Sequence, residues 1–192
     1  GVFEMADSGL VEVPNPSETL LAGRPKDTPG TCVTCVMEGN RPVLAEIQAL
    51  LAPTSFGNPR RTSNGFDYNR AMLLLAVLEK RGGLIVSSCD AYMNVIGGLY
   101  LDEPAADLAA IISIASSFRD KPVPGELTAI GEVGLTGELR SVSALGQRLS
   151  EVRRLGFKRC LIPAQNSMKL VEPEGLQLVR VRNIREALSA VL

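Results

Sequence analysis

The chain has 192 residues, 45% apolar and 21% charged, with 20 basic against 21 acidic side chains and a net charge of −1. That length gives one sizeable core, read as a single domain over residues 1–192, and the near-neutral balance leaves any polyanion-binding surface to local segregation of charge. Histidine is absent, which excludes Ser-His-Asp and Cys-His catalysis and any histidine base. Neither G-x-x-x-x-G-K-[ST] nor G-x-G-x-x-G occurs, so this chain alone is not expected to hold ATP in a phosphate-cradling loop.

Residues 1–13 read as two short strands around the turn Ala6-Asp7-Ser8-Gly9, and Asn15-Pro16-Ser17-Glu18 opens a short helical turn. Gly23, Pro25, Pro29 and Gly30 make 22–30 a loop. The apolar segments 31–37 and 42–51 flank Glu38-Gly39-Asn40-Arg41, a hairpin signal, and 52–63 reads as a polar loop. Asn64 is placed to cap a helix running to about Arg81 and stopped by Gly82-Gly83; residues 71–78 are apolar nearly all round, so this helix is expected deep in the domain. Strands are expected at 84–88 and within 92–101. Asp102-Glu103-Pro104 then starts a helix with acids near the positive dipole end, continued by Leu108, Ile111, Ile112, Ala115 and Phe118.

Further on, 127–133 and 138–141 are expected to pair around Gly134-Leu135-Thr136-Gly137. A helix follows with Leu145, Leu149, Val152 and Leu155 on one stripe, ending at Gly156. Strands at 159–162 and 176–181 and a helix from Asn183 finish the chain. Hairpins come early and helices interpose later, which predicts an α+β fold with a mixed sheet.

The cysteines are Cys32, Cys35, Cys89 and Cys160. No signal-peptide pattern opens the sequence and no apolar run is long enough for a bilayer, so reduced thiols in a cytoplasmic protein with no membrane partner are expected. Cys32-x-x-Cys35 is also the spacing of half a zinc site or a redox pair. It lies in an expected strand, however, where residues three apart point to opposite faces, and no second such pair or histidine completes a ligand set.

Two stretches resemble the proteolytic domain of Lon proteases: Asp102-Glu103-Pro104-Ala105-Ala106-Asp107, and Thr128 through Arg140 continuing to Gly156-Phe157-Lys158-Arg159-Cys160-Leu161-Ile162-Pro163. In Lon a D-G-P-S-A-G segment opens a helix with the nucleophilic serine, and a later helix starting G-G-L-K carries the catalytic lysine. Carried across, the serine position falls on Ala105 and the lysine position on Gly146. Asp107 also departs from the Lon pattern. The departures are similar to the C-terminal domain of the RadA (Sms) family of DNA repair proteins, as are Asn15-Pro16-Ser17-Glu18, Pro59-Arg60-Arg61, Asn64-Gly65, Asn69-Arg70 and Ala76 to Arg81.

The resemblance implies a Lon-like fold (of the type of ribosomal protein S5 domain 2) without the serine–lysine dyad, and so no peptidase activity. It implies a homo-oligomer in the form of a hexameric ring, single-stranded or branched DNA and the recombinase RecA as partners, and a role in ATP-driven branch migration. The family's zinc-binding and RecA-like ATPase segments are expected before Gly1, so ATP, Mg and Zn belong to them and no cofactor is expected in this chain. A protein-interaction scaffold without DNA contact and a residual serine peptidase are the alternatives.

Charge is segregated. Residues 58–81 hold Arg60, Arg61, Arg70, Lys80 and Arg81 against Asp67 and Glu79; residues 140–159 hold six bases against Glu151; residues 1–23 hold four acids and no base. Such patches serve either a phosphate backbone or a solvated face balanced by neighbouring acids. With the resemblance, Arg60, Arg61 and Arg70 become the expected DNA contacts, while Lys80 and Arg81 suit the C-terminal end of their helix. Phe66 and Tyr68 beside them are read as core residues in preference to base-stacking platforms. Asp102, Glu103 and Asp107 are read as helix-start acids, and Lys121 as a loop cation that makes no dyad with Ser113, Ser116 or Ser117.

Overall fold

A computed structural model describes residues 3–7, 9–55, 57–165 and 170–192. The expected ribbon opens it: β1 (Phe3–Ala6) runs antiparallel to β2 (Gly9–Glu12), with Phe3 opposite Glu12. Helix α1 (Pro16–Leu21) follows, with proline in its first turn, where the missing N–H costs no hydrogen bond.

The centre of the fold is the hairpin of β3 (Thr31–Glu38) and β4 (Arg41–Pro53), in register from Thr31↔Gln48 to Glu38↔Arg41. Residues 31–36 of β3 and 43–47 of β4 are buried without alternation, the pattern of strands covered on both faces. Seven strands form the sheet in the order β11-β10-β7-β3-β4-β6-β5. One half is parallel: β7 (Leu127–Ala129) lies between β3 and β10 (Arg159–Pro163), with β11 (Gln177–Val181) at the edge. The other half runs antiparallel from β4 to β6 (Cys89–Val95), and β5 (Arg61–Asn64) joins β6 in parallel at the far edge.

Two apolar cores sandwich this sheet. Cys32, Val36, Ala45 and Ile47 pack under α2 (Tyr68–Val77), α3 (Asp107–Arg119) and α5 (Ile184–Val191). Val33, Cys35 and Leu44 pack on the opposite face under α4 (Leu145–Arg154), together with Cys160, Ile162 and Leu178. Cys32 and Cys35 therefore look into different cores, as the two-residue period of a strand requires. Burial pushes the Cys32 and Cys160 thiols up to about 12, and raises Cys35 as well. Among the described residues no three metal-ligating side chains converge, and no helix is long and apolar enough to cross a membrane.

Several expected boundaries move. The polar loop expected at 52–63 is shorter, because β4 continues through Pro53 and β5 begins at Arg61. Asn64 ends β5 and does not cap a helix. Gly65 takes a left-handed φ of 74°, and Asp67 is the cap, accepting the Arg70 N–H at 2.7 Å. Beyond Val77 the helix widens into a π-helical turn, Leu78–Gly82, closed by Gly83 at φ 77°.

No strand forms at 84–88. The Val86 and Cys89 carbonyls accept from the Arg61 guanidinium, the former at 3.0 Å, in place of a neighbouring strand. The strand expected within 92–101 begins earlier, at Cys89, and gives way at Ile96 to a 3-10 turn. The strand expected at 127–133 divides. Gly131 bonds through N–H to the Ala105 carbonyl (2.9 Å) and through C=O to the Leu108 N–H (3.1 Å), which turns the chain out of the sheet after β7. Only the two-residue strands β8 (Glu132–Val133) and β9 (Leu139–Arg140) then pair around the turn.

Candidate functional site

The candidate site lies where the segment entering α3 meets the first turns of α4. A 3-10 turn, Pro104–Ala106, leads into α3. Ala105 within it is 2% exposed and shares an apolar cluster with Leu145 and Leu149 of α4. Gly146, one residue into that helix, is exposed, and a Cβ built on it meets nothing within 4 Å. Where the Lon pattern has paired glycines before its lysine, this chain has Ser143-Ala144, and Ala144 adopts the left-handed φ of 53° that glycine tolerates best.

Two ion pairs flank Ala105. Two residues before it, Glu103 accepts the Met37 N–H at 2.8 Å and a two-pronged contact from Arg148, whose Nη1 lies 3.0 Å from Oε2. Arg148 is fully buried on the inner face of α4; its Nη1 also donates to the Cys35 carbonyl at 2.7 Å and its Nε to the Ser143 carbonyl at 2.9 Å. Two residues after Ala105, Asp107 is fully buried and accepts from Arg70 through both oxygens, with Nε–Oδ1 at 2.9 Å, and from the Val133 N–H at 3.0 Å. Burial pushes the Asp107 carboxyl up, while the Arg70 hydrogen bonds and the Val133 N–H pull it back. Reading Glu103 and Asp107 as helix-start acids therefore missed their main partners: each is an anchor between elements.

No alternative serine–lysine pair assembles among Ser113, Ser116, Ser117 and Lys121. Ser113 donates to the Ile47 and Ala109 carbonyls, Ser116 accepts the Gly30 N–H, and Ser117 accepts the Leu51 N–H. Lys121 reaches the Leu192 carbonyl at 3.3 Å.

The three arginines expected at DNA sit in different surroundings. Arg70 is joined to Asp107 and the Val133 carbonyl, and Arg61 to the Val86 and Cys89 carbonyls. Arg60 is exposed at the sheet edge, its N–H held by Asp90 at 2.7 Å. Phe66 is buried at 3% exposure, whereas Tyr68 is about half exposed. In the second basic stretch Arg140 pairs with Glu138, and Arg154 with Glu151 and Glu18.

A mixed sheet with a turn-and-helix segment packed against an amphipathic helix defines a peptidase-like domain of the Lon type. Residues 91–192 match the Lon protease (S16) C-terminal proteolytic domain family. Over all 192 residues the chain is 55% identical to the DNA repair protein RadA of Bacillus subtilis (strain 168) and 52% to that of Listeria monocytogenes, covering 42% of each. It is 47% identical over 191 residues to RadA of Streptococcus pneumoniae, covering 46% of that protein. The chain belongs to the Lon proteolytic-domain family, in the form of the Lon-like C-terminal domain of RadA. It spans less than half the length of the relatives it matches.

Proposed function

We propose that this domain is a non-catalytic Lon-like module of a RadA-type DNA repair protein, supporting ring assembly and DNA handling during ATP-driven branch migration. The observation that carries the reading is chemical. The position resembling the Lon nucleophile holds a buried methyl group at Ala105, and the position resembling the Lon lysine holds no side chain at Gly146. The charged groups flanking Ala105, Glu103 and Asp107, are tied to arginines, whose guanidinium forks donate hydrogen bonds and offer no acceptor for a hydroxyl proton. The DNA-repair context comes from the relatives' name.

Peptidase activity is tested with casein and a fluorogenic peptide beside a serine-reactive probe. No turnover and no labelling are expected; sustained turnover abolished by a point substitution in this chain would overturn the reading. Assembly is read by mass photometry, where a hexamer is expected of the full-length protein. A second reading, a scaffold that never touches DNA, is favoured by the engagement of Arg61 and Arg70 within the fold. DNA affinity measured against salt separates the two.

A further inference from the structure

Arg81 and Arg185, neither of them in a salt bridge among the described residues, face a common cleft. It has a volume of about 320 Å³ and is lined by Arg81, Thr136, Gly137, Asn183, Ile184 and Arg185. Three elements build it: the end of the π-helical turn, the turn between β8 and β9, and the start of α5. The Ile184 N–H donates to the Gly137 carbonyl at 2.9 Å, and Arg185 Nε donates to the Arg81 carbonyl at 2.6 Å. Gly137 sits at φ 85°, and a Cβ there would lie 2.9 Å from Arg81 Cβ, so only glycine lets the Arg81 stem cross the turn.

The lining holds two cations and no acid. The carboxylates next to the lining in sequence are engaged by other groups: Glu186 by Arg182 Nε at 2.9 Å, Glu138 by Thr136 and by Arg140 Nε at 3.0 Å. Two larger cavities among the described residues mix the signs. In the one of about 520 Å³, Arg24 and Lys26 meet Asp27 and Glu126, and Arg24 lies over the Phe157 ring at 5.2 Å. The other, of about 470 Å³, sets Glu132 and Glu138 against Arg140 alone.

We propose that the Arg81–Arg185 cleft is a phosphate-binding site, and that the phosphate it takes belongs to the backbone of DNA. Guanidinium forks match phosphate oxygens in pairs, and an exposed, unopposed pair of them releases counterions when a phosphate docks. The choice of DNA over a free phosphate rests on the DNA-handling reading above; the site itself rests on the cleft.

The test is fluorescence anisotropy of a labelled oligo-dT against sodium chloride, using the wild-type chain, R81Q/R185Q and K26Q. Glutamine keeps the Arg81 stem over Gly137 while removing charge, and melting curves check the fold. R81Q/R185Q is expected to bind roughly tenfold more weakly, with a salt slope shallower by about 1.4, while K26Q, at an exposed lysine outside the cleft and outside the expected DNA contacts, stays within about twofold of wild type. Equal affinity and slope for wild type and R81Q/R185Q would overturn the proposal. If the wild type does not bind DNA, the arginine Nε–H signals are followed by NMR on adding inorganic phosphate, with chloride at equal ionic strength as the control. Shifts confined to Arg81 and Arg185 with phosphate keep the anion site and remove the DNA reading; their absence removes both.

Discussion

Arg148 has no exposed surface, yet it satisfies Glu103, the Cys35 carbonyl and the Ser143 carbonyl at once. Truncating one partner of such a pair leaves the other groups desolvated and unpaired, which typically costs about 3–5 kcal/mol. Partial exposure of Glu103 moves the expectation to the lower end, so Arg148→Met should lower the urea-unfolding free energy by about 3 kcal/mol. Arg148→Lys should recover little, since an ammonium cannot span the fork. Thr34 presents the opposite case. Its hydroxyl is buried in β3 with no hydrogen-bond partner among the described residues. A buried unpaired hydroxyl costs about 1–3 kcal/mol, so Thr34→Val, of the same shape, should stabilise the chain by about 1 kcal/mol in the same measurement.

Glu138 links residue chemistry to pH. The Thr136 hydroxyl, its own backbone N–H and Arg140 hold its carboxyl down at about 2, against an ordinary value of 4.5. The folded state thus favours the charged form. Its contribution is fully present above pH 4.5 and disappears as pH falls from 4.5 towards 2. Melting temperatures of wild type and Glu138→Gln should differ at neutral pH and converge across that interval; a constant gap would mean that Glu138 acts through packing alone.

At the scale of elements, α4 carries a position open to improvement. Gly146 lies in the first turn of this helix with open space at its missing Cβ. Glycine there costs about 0.5–1 kcal/mol relative to alanine, so Gly146→Ala should raise stability by that amount. The stripe Leu145, Leu149 and Val152 was readable from spacing, and Arg148 falls on the same face. An arginine on an apolar stripe is itself a sign of a buried pair, but naming Glu103 as its partner needs the fold, because the two are 45 residues apart. The same limit applies to Arg70 and Asp107. Local chemistry made the hairpin of β3 and β4 and the caps at Asn183 and Gly83 legible. It missed the Asp67 cap, because Asn64 is as good a cap by residue type and only the left-handed Gly65 decides between them. It also missed the break after β7, which long-range bonds of Gly131 to Ala105 and Leu108 impose.

Over the whole molecule, a mixed sheet with four parallel and two antiparallel pairings is closed by three helices on one side and mainly by α4 on the other. The Arg148–Glu103 pair joins the α4 side to the turn feeding α3, and the Arg70–Asp107 pair joins α2 to α3. The segment at Ala105 is thereby fixed from both directions, which explains how a peptidase-like frame stays ordered around a position that resembles a nucleophile's but has no hydroxyl.

The alternation along β3 supplies the chain with native reporters of partial opening. In a Cys89→Ser background, a thiol reagent finds Cys35 and Cys160 behind α4 and Cys32 behind the three-helix layer. Since the side closed by α4 and the short α1 has less structure to release than the three-helix side, its two sulfurs are expected to be modified first in mild denaturant, with Cys32 silent until the global transition. Modification of all three together would mean that the sheet transmits every fluctuation across its thickness and the two sides melt as one.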